Sequence, residues 1–113
     1  MSINCIRTLL ENAVESHGDK VAVVFGDKRI RYAELFTKVN QVALYLSELN
    51  LPKGTRVGIY STKGLEQVIA ILAILSTDYI LVPLTKLLKP GQVEYIIKDC
   101  DIRVIITDKL QLE

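Results

Sequence analysis

The fold of this chain is decided by the stretch Arg56–Thr107, which reads RVGIYSTKGLEQVIAILAILSTDYILVPLTKLLKPGQVEYIIKDCDIRVIIT. Three short apolar runs predict β-strands: Arg56–Tyr60, Ile80–Leu84 and Arg103–Thr107. Two segments with helical patterning separate them: Leu65–Ser76 and Pro90–Asp99. Strands that alternate with helices of this length are joined by right-handed crossovers, so we predict an α/β protein with a parallel βαβαβ core. Pro83 is expected at the end of a strand, since proline donates no ladder hydrogen bond.

The residues before this stretch predict a β-hairpin flanked by two helices. The first helix has an apolar stripe at helical spacing: Ile6, Leu9, Leu10, Ala13 and Val14. It ends at His17-Gly18, where the glycine is expected in the left-handed conformation. The strands Val21–Phe25 and Arg29–Tyr32 flank Gly26-Asp27-Lys28, whose glycine suits a tight turn. The second helix presents one apolar face: Leu35, Val39, Val42, Ala43, Leu46 and Leu49.

The segment Val68–Leu75 is apolar on every face of its predicted helix. A helix of this kind is normally buried on all sides, and a sheet covers only one of them. If no second layer covers the other side, an exposed apolar patch remains, and the isolated chain is expected to self-associate as a symmetric dimer. The alternative is that the helices Ile6–Val14 and Leu35–Leu49 fold over Val68–Leu75.

The composition indicates one globular domain over residues 1–113. Fourteen Lys and Arg against 13 Asp and Glu leave a net charge of +1, so nothing favours a nucleic-acid partner. Residues 3–15 mix charges into their apolar positions, unlike a secretory signal. The apolar region 68–84 is interrupted by Ser76-Thr77-Asp78 and Pro83, so no membrane span is predicted. Cys5 and Cys100 match no metal spacing, and unpaired cysteines indicate a cytoplasmic location.

The chain contains no recognisable catalytic, cofactor-binding or metal-binding set, and we assign none. The loop Ser61-Thr62-Lys63-Gly64 lies between a strand end and a helix N-terminus, where backbone amides can hold an anion. It lacks the glycines of the nucleotide-binding fingerprints, so an ordinary connecting loop is the favoured interpretation.

Other polar residues have simple structural explanations. His17 is the only histidine and suits a helix C-terminus, where the dipole favours a cation. Asp99 and Asp101 flank Cys100 and are expected to be solvated residues that end a helix, while Cys100 lies on its apolar face. Two lysines, Lys86 and Lys89, are expected to solvate the loop before Pro90, which suits a first helical turn.

Five segments match, in order and spacing, motifs of a known superfamily: Gly18–Ala22 (P-D-K-x-A), Arg31–Leu35 (T-Y-x-E-L), Lys53–Val57 (K-G-D-R-V), Val82–Leu84 (V-P-L) and Leu88–Pro90, at the following helix start. The chain resembles the N-terminal part of the adenylate-forming ligases, which include acyl-CoA synthetases, peptide-synthetase adenylation domains and luciferases. The resemblance covers almost the whole chain. It implies an N-terminal subdomain of a longer AMP-binding ligase, and residues 108–113, which stop just after a strand, agree with a truncated segment.

The chain departs from the family pattern mainly in its loops. Arg31 replaces the threonine that would cap the helix and pair with Glu34 in a capping box. Thr62–Leu65 stands where the family usually has P-N-S-P. Asp78-Tyr79 replaces Gly-Ala, and Thr85-Lys86 replaces Asn-Pro. The fold expectation is unaffected, whereas the substrate class stays open.

Members of this family join a carboxylic acid to ATP as an acyl-adenylate, release pyrophosphate and pass the acyl group to a thiol. The resemblance therefore implies a parent acyl-CoA synthetase of fatty acid metabolism that uses ATP, Mg²⁺ and coenzyme A. The phosphate loop, ribose carboxylate and lysine of the family lie downstream of this region, so the isolated chain is expected to be inactive and to need no cofactor. The alternatives are a flavodoxin-like module that binds phosphate or nucleotide through Ser61–Gly64, and a non-catalytic interaction protein that uses Val68–Leu75.

Overall fold

A computed structural model describes residues 5–107, with side chains from Thr8 onward. The helices and strands are α1 Cys5–His17, β1 Val21–Phe25, β2 Lys28–Arg31, α2 Tyr32–Ser47, β3 Arg56–Tyr60, α3 Leu65–Leu75, β4 Ile80–Pro83, α4 Pro90–Asp99 and β5 Ile102–Thr107. The predicted order and the α/β class are confirmed, and most boundaries agree with the prediction to within one residue. Some predictions lie outside the described residues. They concern the side chains of Cys5 and Ile6 and the segment 108–113.

Within the described residues, β3, β4 and β5 form a parallel sheet in the order β4-β3-β5. The two strands β1 and β2 form a separate antiparallel hairpin whose turn contains Gly26 at a φ of 62°. Pro83 is the last residue of β4, opposite Ile59 at the edge of the sheet. Leu84 then donates its N–H to the Ile59 carbonyl at 2.8 Å. The position predicted for Pro83 is therefore confirmed.

The two faces of the sheet are covered by different helices. Val57 and Ile59 of β3 pack with the α3 residues Ala70 and Ile74, whereas Tyr60 packs in the cluster that contains Val93 of α4. Gly58 lies on the α4 face, where a Cβ would approach Ile102 Cγ2 at 3.4 Å. Side chains alternate between faces along a strand, so α3 and α4 lie on opposite sides of β3.

Helix α3 is covered on its second side by α2 and the hairpin. Its Ala73 is fully buried and belongs to a cluster with Leu35 and Val39 of α2 and Ile30 of β2. Leu10 of α1 joins the same cluster. The structure thus has the arrangement given above as the alternative, in which the N-terminal helices fold over α3. The uncovered patch that motivated a dimer through this helix is not present among the described residues.

Three local expectations are corrected by the packing. Leu9 is 64% exposed and Leu49 is 39% exposed, because α1 turns Leu9 outward and α2 ends at Ser47, before Leu49. Gly18 does not adopt the left-handed conformation. Glycine is needed at this position because a side chain would not fit: a Cβ there would come within 2.9 Å of the Val14 carbonyl oxygen. Arg31 provides no side-chain cap to α2, as expected, and its guanidinium donates to the Asp19 carbonyl.

Tyr79, one of the departures from the family pattern, connects α2 to the start of β4. Its hydroxyl donates to the Leu46 carbonyl at 2.9 Å and accepts from the Leu51 N–H at 3.3 Å. The Thr77 hydroxyl holds the Tyr79 backbone against the end of α3. It donates to the Ile74 carbonyl at 2.6 Å and accepts from the Tyr79 N–H at 3.1 Å. The phenol therefore hydrogen-bonds to two backbone groups at the point where α2 ends, where the Leu46 carbonyl also accepts from the Leu49 N–H at 3.2 Å.

We predict that Ile71→Glu destabilises the protein by at least about 2 kcal/mol, because it places a charge in the packing between α3 and the sheet. The matched control is Leu44→Glu on α2, whose side chain is 62% exposed and which should change stability by no more than about 0.5 kcal/mol. Urea denaturation followed by circular dichroism measures both variants. Equal stability of the two would contradict the burial of α3.

Tyr79→Phe should lower the free energy of unfolding by about 1–2 kcal/mol, because it leaves the Leu46 carbonyl and the Leu51 N–H without this partner. Tyr45→Phe removes the same hydroxyl from a side chain that is 66% exposed and should be neutral. The comparison again uses urea denaturation midpoints. A Tyr79→Phe variant as stable as Tyr45→Phe would show that this connection carries no stability.

Candidate functional site

A crevice lies at the carboxyl ends of β3 and β4. These strands are neighbours, but β3 continues into α3 on one face of the sheet and β4 continues into α4 on the other. The two connecting loops therefore leave in opposite directions and open a cavity of about 740 Å³ between them. In open α/β sheets, ligands usually bind in crevices outside the carboxyl ends of the strands.

One wall of the crevice is polar and is formed by the loop that enters α3. Ser61 is only 8% exposed, and its Oγ has no hydrogen-bond partner among the described residues. The Gln67 Nε2 donates to the Ser61 carbonyl at 3.3 Å, which holds the strand end against the first turn of α3. Gly64 is the N-cap of α3 and offers no side-chain cap. Lys63 is exposed at the rim.

The opposite wall is formed by the loop between β4 and α4. The Tyr60 hydroxyl donates to the Leu88 carbonyl at 2.9 Å and so fixes this loop to the central strand. The Lys86 Nζ lies 4.7 Å from the centroid of the Tyr60 ring, a cation–π contact. Lys86 is thus half-buried and more constrained than the solvating role predicted for it. Leu84 and Leu87 add apolar surface to the same wall.

The remaining candidate residues lie away from this crevice. His17 is exposed in the last turn of α1, as expected for a helix-terminal cation. Asp101 is exposed at the amino end of β5 and pairs with the Arg103 Nε at 3.5 Å. Asp99 is also exposed, while Cys100 is a half-buried free thiol between them. The structure does not combine these residues into a constellation with the Ser61 loop.

The crevice has binding groups but no obvious reactive set. Its described lining offers hydroxyls, one amide and two lysines beside an apolar surface. Across residues 5–107, no group of three His, Cys, Asp or Glu side chains could hold a metal ion. None of the helices in that part of the chain is long and apolar enough to cross a membrane.

The contact between Tyr60 and Lys86 was not predicted from the sequence. The two residues are separated by a helix and a strand, and only the parallel register of β3 and β4 brings their carboxyl ends together. The unpaired hydroxyl of Ser61 was also missed, although the loop that contains it was singled out. Periodicity places Ser61 on the α3 side of the sheet but gives no information about its hydrogen bonds.

Residues 10–113 match the model of a family described as AMP-binding enzyme. Tyrocidine synthase 1 of Brevibacillus parabrevis is 36% identical over 92% of the chain, which covers 10% of that protein. A medium/long-chain-fatty-acid–CoA/3-oxocholest-4-en-26-oate–CoA ligase of Mycobacterium marinum is 31% identical over 92% of the chain and 19% of its own length. The chain therefore spans a tenth to a fifth of these two relatives.

Solved structures agree in fold. The anthranilate CoA ligase AuaEII, in complex with anthranoyl-AMP, matches 99% of this chain and 23% of its own, with a TM-score of 0.84 and 27% identity. The N-terminal subdomain of Klebsiella oxytoca NpsA matches 91% of this chain and 27% of its own, with a TM-score of 0.80. At 23% identity, that second match shows the fold alone. The family match over residues 10–113 shows that the chain belongs to the AMP-binding enzyme family.

Proposed function

We propose that this chain is the N-terminal subdomain of a ligase that activates a carboxylic acid with ATP, forming an acyl-adenylate and pyrophosphate, and then transfers the acyl group to a thiol. The observation that carries the proposal is the family match over residues 10–113. The likeness to an anthranilate CoA ligase solved with anthranoyl-AMP supports it, because that match covers 99% of this chain. Residues 1–113 would form one structural unit of the parent enzyme.

The role of this unit would be to supply sheet and helices that form the walls of the acyl and nucleotide clefts. Its described residues include no cluster of acidic or histidine side chains suited to a metal ion. ATP and Mg²⁺ would therefore be held by the parts of the parent that carry the family's phosphate loop, ribose carboxylate and lysine. We derive no catalytic step from residues of this chain, and no catalytic or cofactor-binding residue is assigned to it.

Coenzyme A is the proposed thiol acceptor, in line with an acyl-CoA synthetase of fatty acid metabolism. A carrier-protein thiol is the alternative, since one structural neighbour from Klebsiella oxytoca is an artificially fused adenylation–PCP di-domain of a peptide synthetase. The acid itself is not identified, because the relatives include both a fatty-acid–CoA ligase and an anthranilate CoA ligase. Thioester formation from free coenzyme A by the parent enzyme would separate the two acceptors.

Two properties of the isolated chain complete the proposal. A cytoplasmic location fits the half-buried free thiol of Cys100. Self-association stays a prediction, although the burial of α3 means that this helix would not mediate it without rearrangement. Light scattering at micromolar concentration tests the oligomeric state, and a monomer that binds no hydrophobic dye would exclude self-association.

The isolated chain should show no acid-dependent exchange between ATP and pyrophosphate, because the motifs that hold the phosphates and the carboxylate lie outside it. The assay uses a panel of fatty and aromatic acids, a blank without acid and a complete anthranilate CoA ligase as the positive control. Exchange above the blank would contradict the subdomain proposal. A downstream T-S-G-T-T-G-x-P-K-G-like loop in the same reading frame would support it, and that loop should restore exchange in the longer polypeptide.

A further inference from the structure

The crevice between β3 and β4 is lined by a buried hydroxyl, that of Ser61. Ser61 is 8% exposed, and its Oγ has no partner among the described residues. Buried hydroxyls are normally paired, so an unpaired one beside a cavity indicates a ligand or an ordered water. The alternation along β3 puts Ser61 on the face of α3, next to the first turn of that helix.

The backbone supplies further donors at the same place. The first hydrogen bond within α3 runs from the Val68 N–H to the Gly64 carbonyl at 3.2 Å, so the preceding N–H groups have no acceptor inside the helix. Gly64 brings no side chain that could cap them. The N-terminus of a helix favours an anion through both its backbone N–H groups and the helix dipole.

The charges around the crevice favour the same class of ligand. Lys63 and Lys86 both line the cavity, and the Tyr60 ring positions the Lys86 ammonium at its rim. No acidic side chain is among the described residues that line it. The acidic residue in the first turn of α3, Glu66, is exposed and lies 4.0 Å from the Lys28 Nζ, a contact outside the crevice.

The size and remaining surface of the crevice indicate more than a bare anion. A cavity of about 740 Å³ is within the range that holds an organic ligand and far exceeds one phosphate. Pro83, Leu84 and Leu87 give it an apolar wall opposite the donors. We infer that this crevice binds the phosphate group of an organic phosphate monoester, with Ser61 and the α3 N-terminus as donors, Lys63 and Lys86 as cations, and the apolar wall against the organic part. The test of this site needs only the present chain and does not use the proposed ligase activity.

Phenyl phosphate is the probe for this site, with inorganic phosphate and phenol as its two halves. Titrations of the ¹⁵N-labelled chain at constant ionic strength should give saturable shifts of the Gly64, Leu65 and Glu66 amides. Phenyl phosphate should bind more tightly than inorganic phosphate, and phenol alone should not bind. Equal affinity for phenyl phosphate and inorganic phosphate, or shifts that do not saturate, would overturn the inference. Equally large shifts at the basic amino ends of the strands, around Lys53–Arg56, would overturn it as well.

Two variants and one control test whether these residues bind phenyl phosphate. Ser61→Ala should weaken phenyl phosphate binding roughly tenfold, because it removes a hydrogen bond to a charged group. Lys86→Gln should weaken it roughly threefold or more, since it removes a nearby positive charge. Lys89→Gln is the control, an exposed lysine of the same loop that does not line the cavity, and should leave the affinity within about twofold of the wild type.

Unfolding temperatures distinguish a variant that has lost binding from one that has lost its fold. Because the Ser61 hydroxyl is unpaired, Ser61→Ala should unfold at a temperature no lower than the wild type in the absence of ligand. Phenyl phosphate should raise the unfolding temperature of the wild type and of Lys89→Gln, and raise that of Ser61→Ala less. A Ser61→Ala variant that binds like the wild type, or that unfolds at a clearly lower temperature without ligand, would overturn the role given to Ser61. Lys86→Gln then tests the site independently of that buried position.

Discussion

The structure depends on burying a helix whose last eight residues have no polar side. Helix α3 contains eight consecutive apolar residues, Val68–Leu75, and the parallel sheet covers only one of its sides. The other side needs a second apolar layer, which α2, β2 and Leu10 of α1 provide. The N-terminal helices and hairpin therefore cover the side of α3 that the sheet leaves open.

This layering also explains where the crevice forms. With α3 enclosed on one face of the sheet, the next helix, α4, covers the other face, with Val93 against the sheet and Gly58 leaving space beneath Ile102. The loops after β3 and β4 then diverge, and the cavity opens between them. The crevice is a consequence of the topology, while its polarity depends on a few loop residues such as Ser61 and Lys86.

Membership of the AMP-binding enzyme family identifies the scaffold and leaves its chemistry to be argued from particular sites. The positions at which this chain departs from the family pattern have structural uses of their own. Tyr79 joins the end of α2 to β4 through two backbone groups, and Lys86 lies against the Tyr60 ring. Arg31 shows the cost of such a change, since α2 begins without a side-chain cap.

The sequence by itself determined the class of fold, the order of the elements and the family, because these follow from local periodicity and from short motifs in a fixed order. Periodicity predicted burial less accurately in parts of the helices. Leu9 and Leu49 have the right spacing for an apolar face and are nevertheless exposed, because helix rotation and helix ends are decided by packing. For the same reason, Gly18 is needed for its close approach to the Val14 carbonyl rather than for a left-handed φ.

Only the tertiary structure decided what covers α3, and the sequence left that choice open between a second molecule and the N-terminal helices. The choice depends on contacts between residues far apart in the chain, such as Ala73 with Val39, which no local pattern encodes. The candidate crevice is of the same kind. Ser61 and Lys86 come to one cavity because β3 and β4 are parallel neighbours, and whether the Ser61 hydroxyl finds a partner is a property of the packed structure alone.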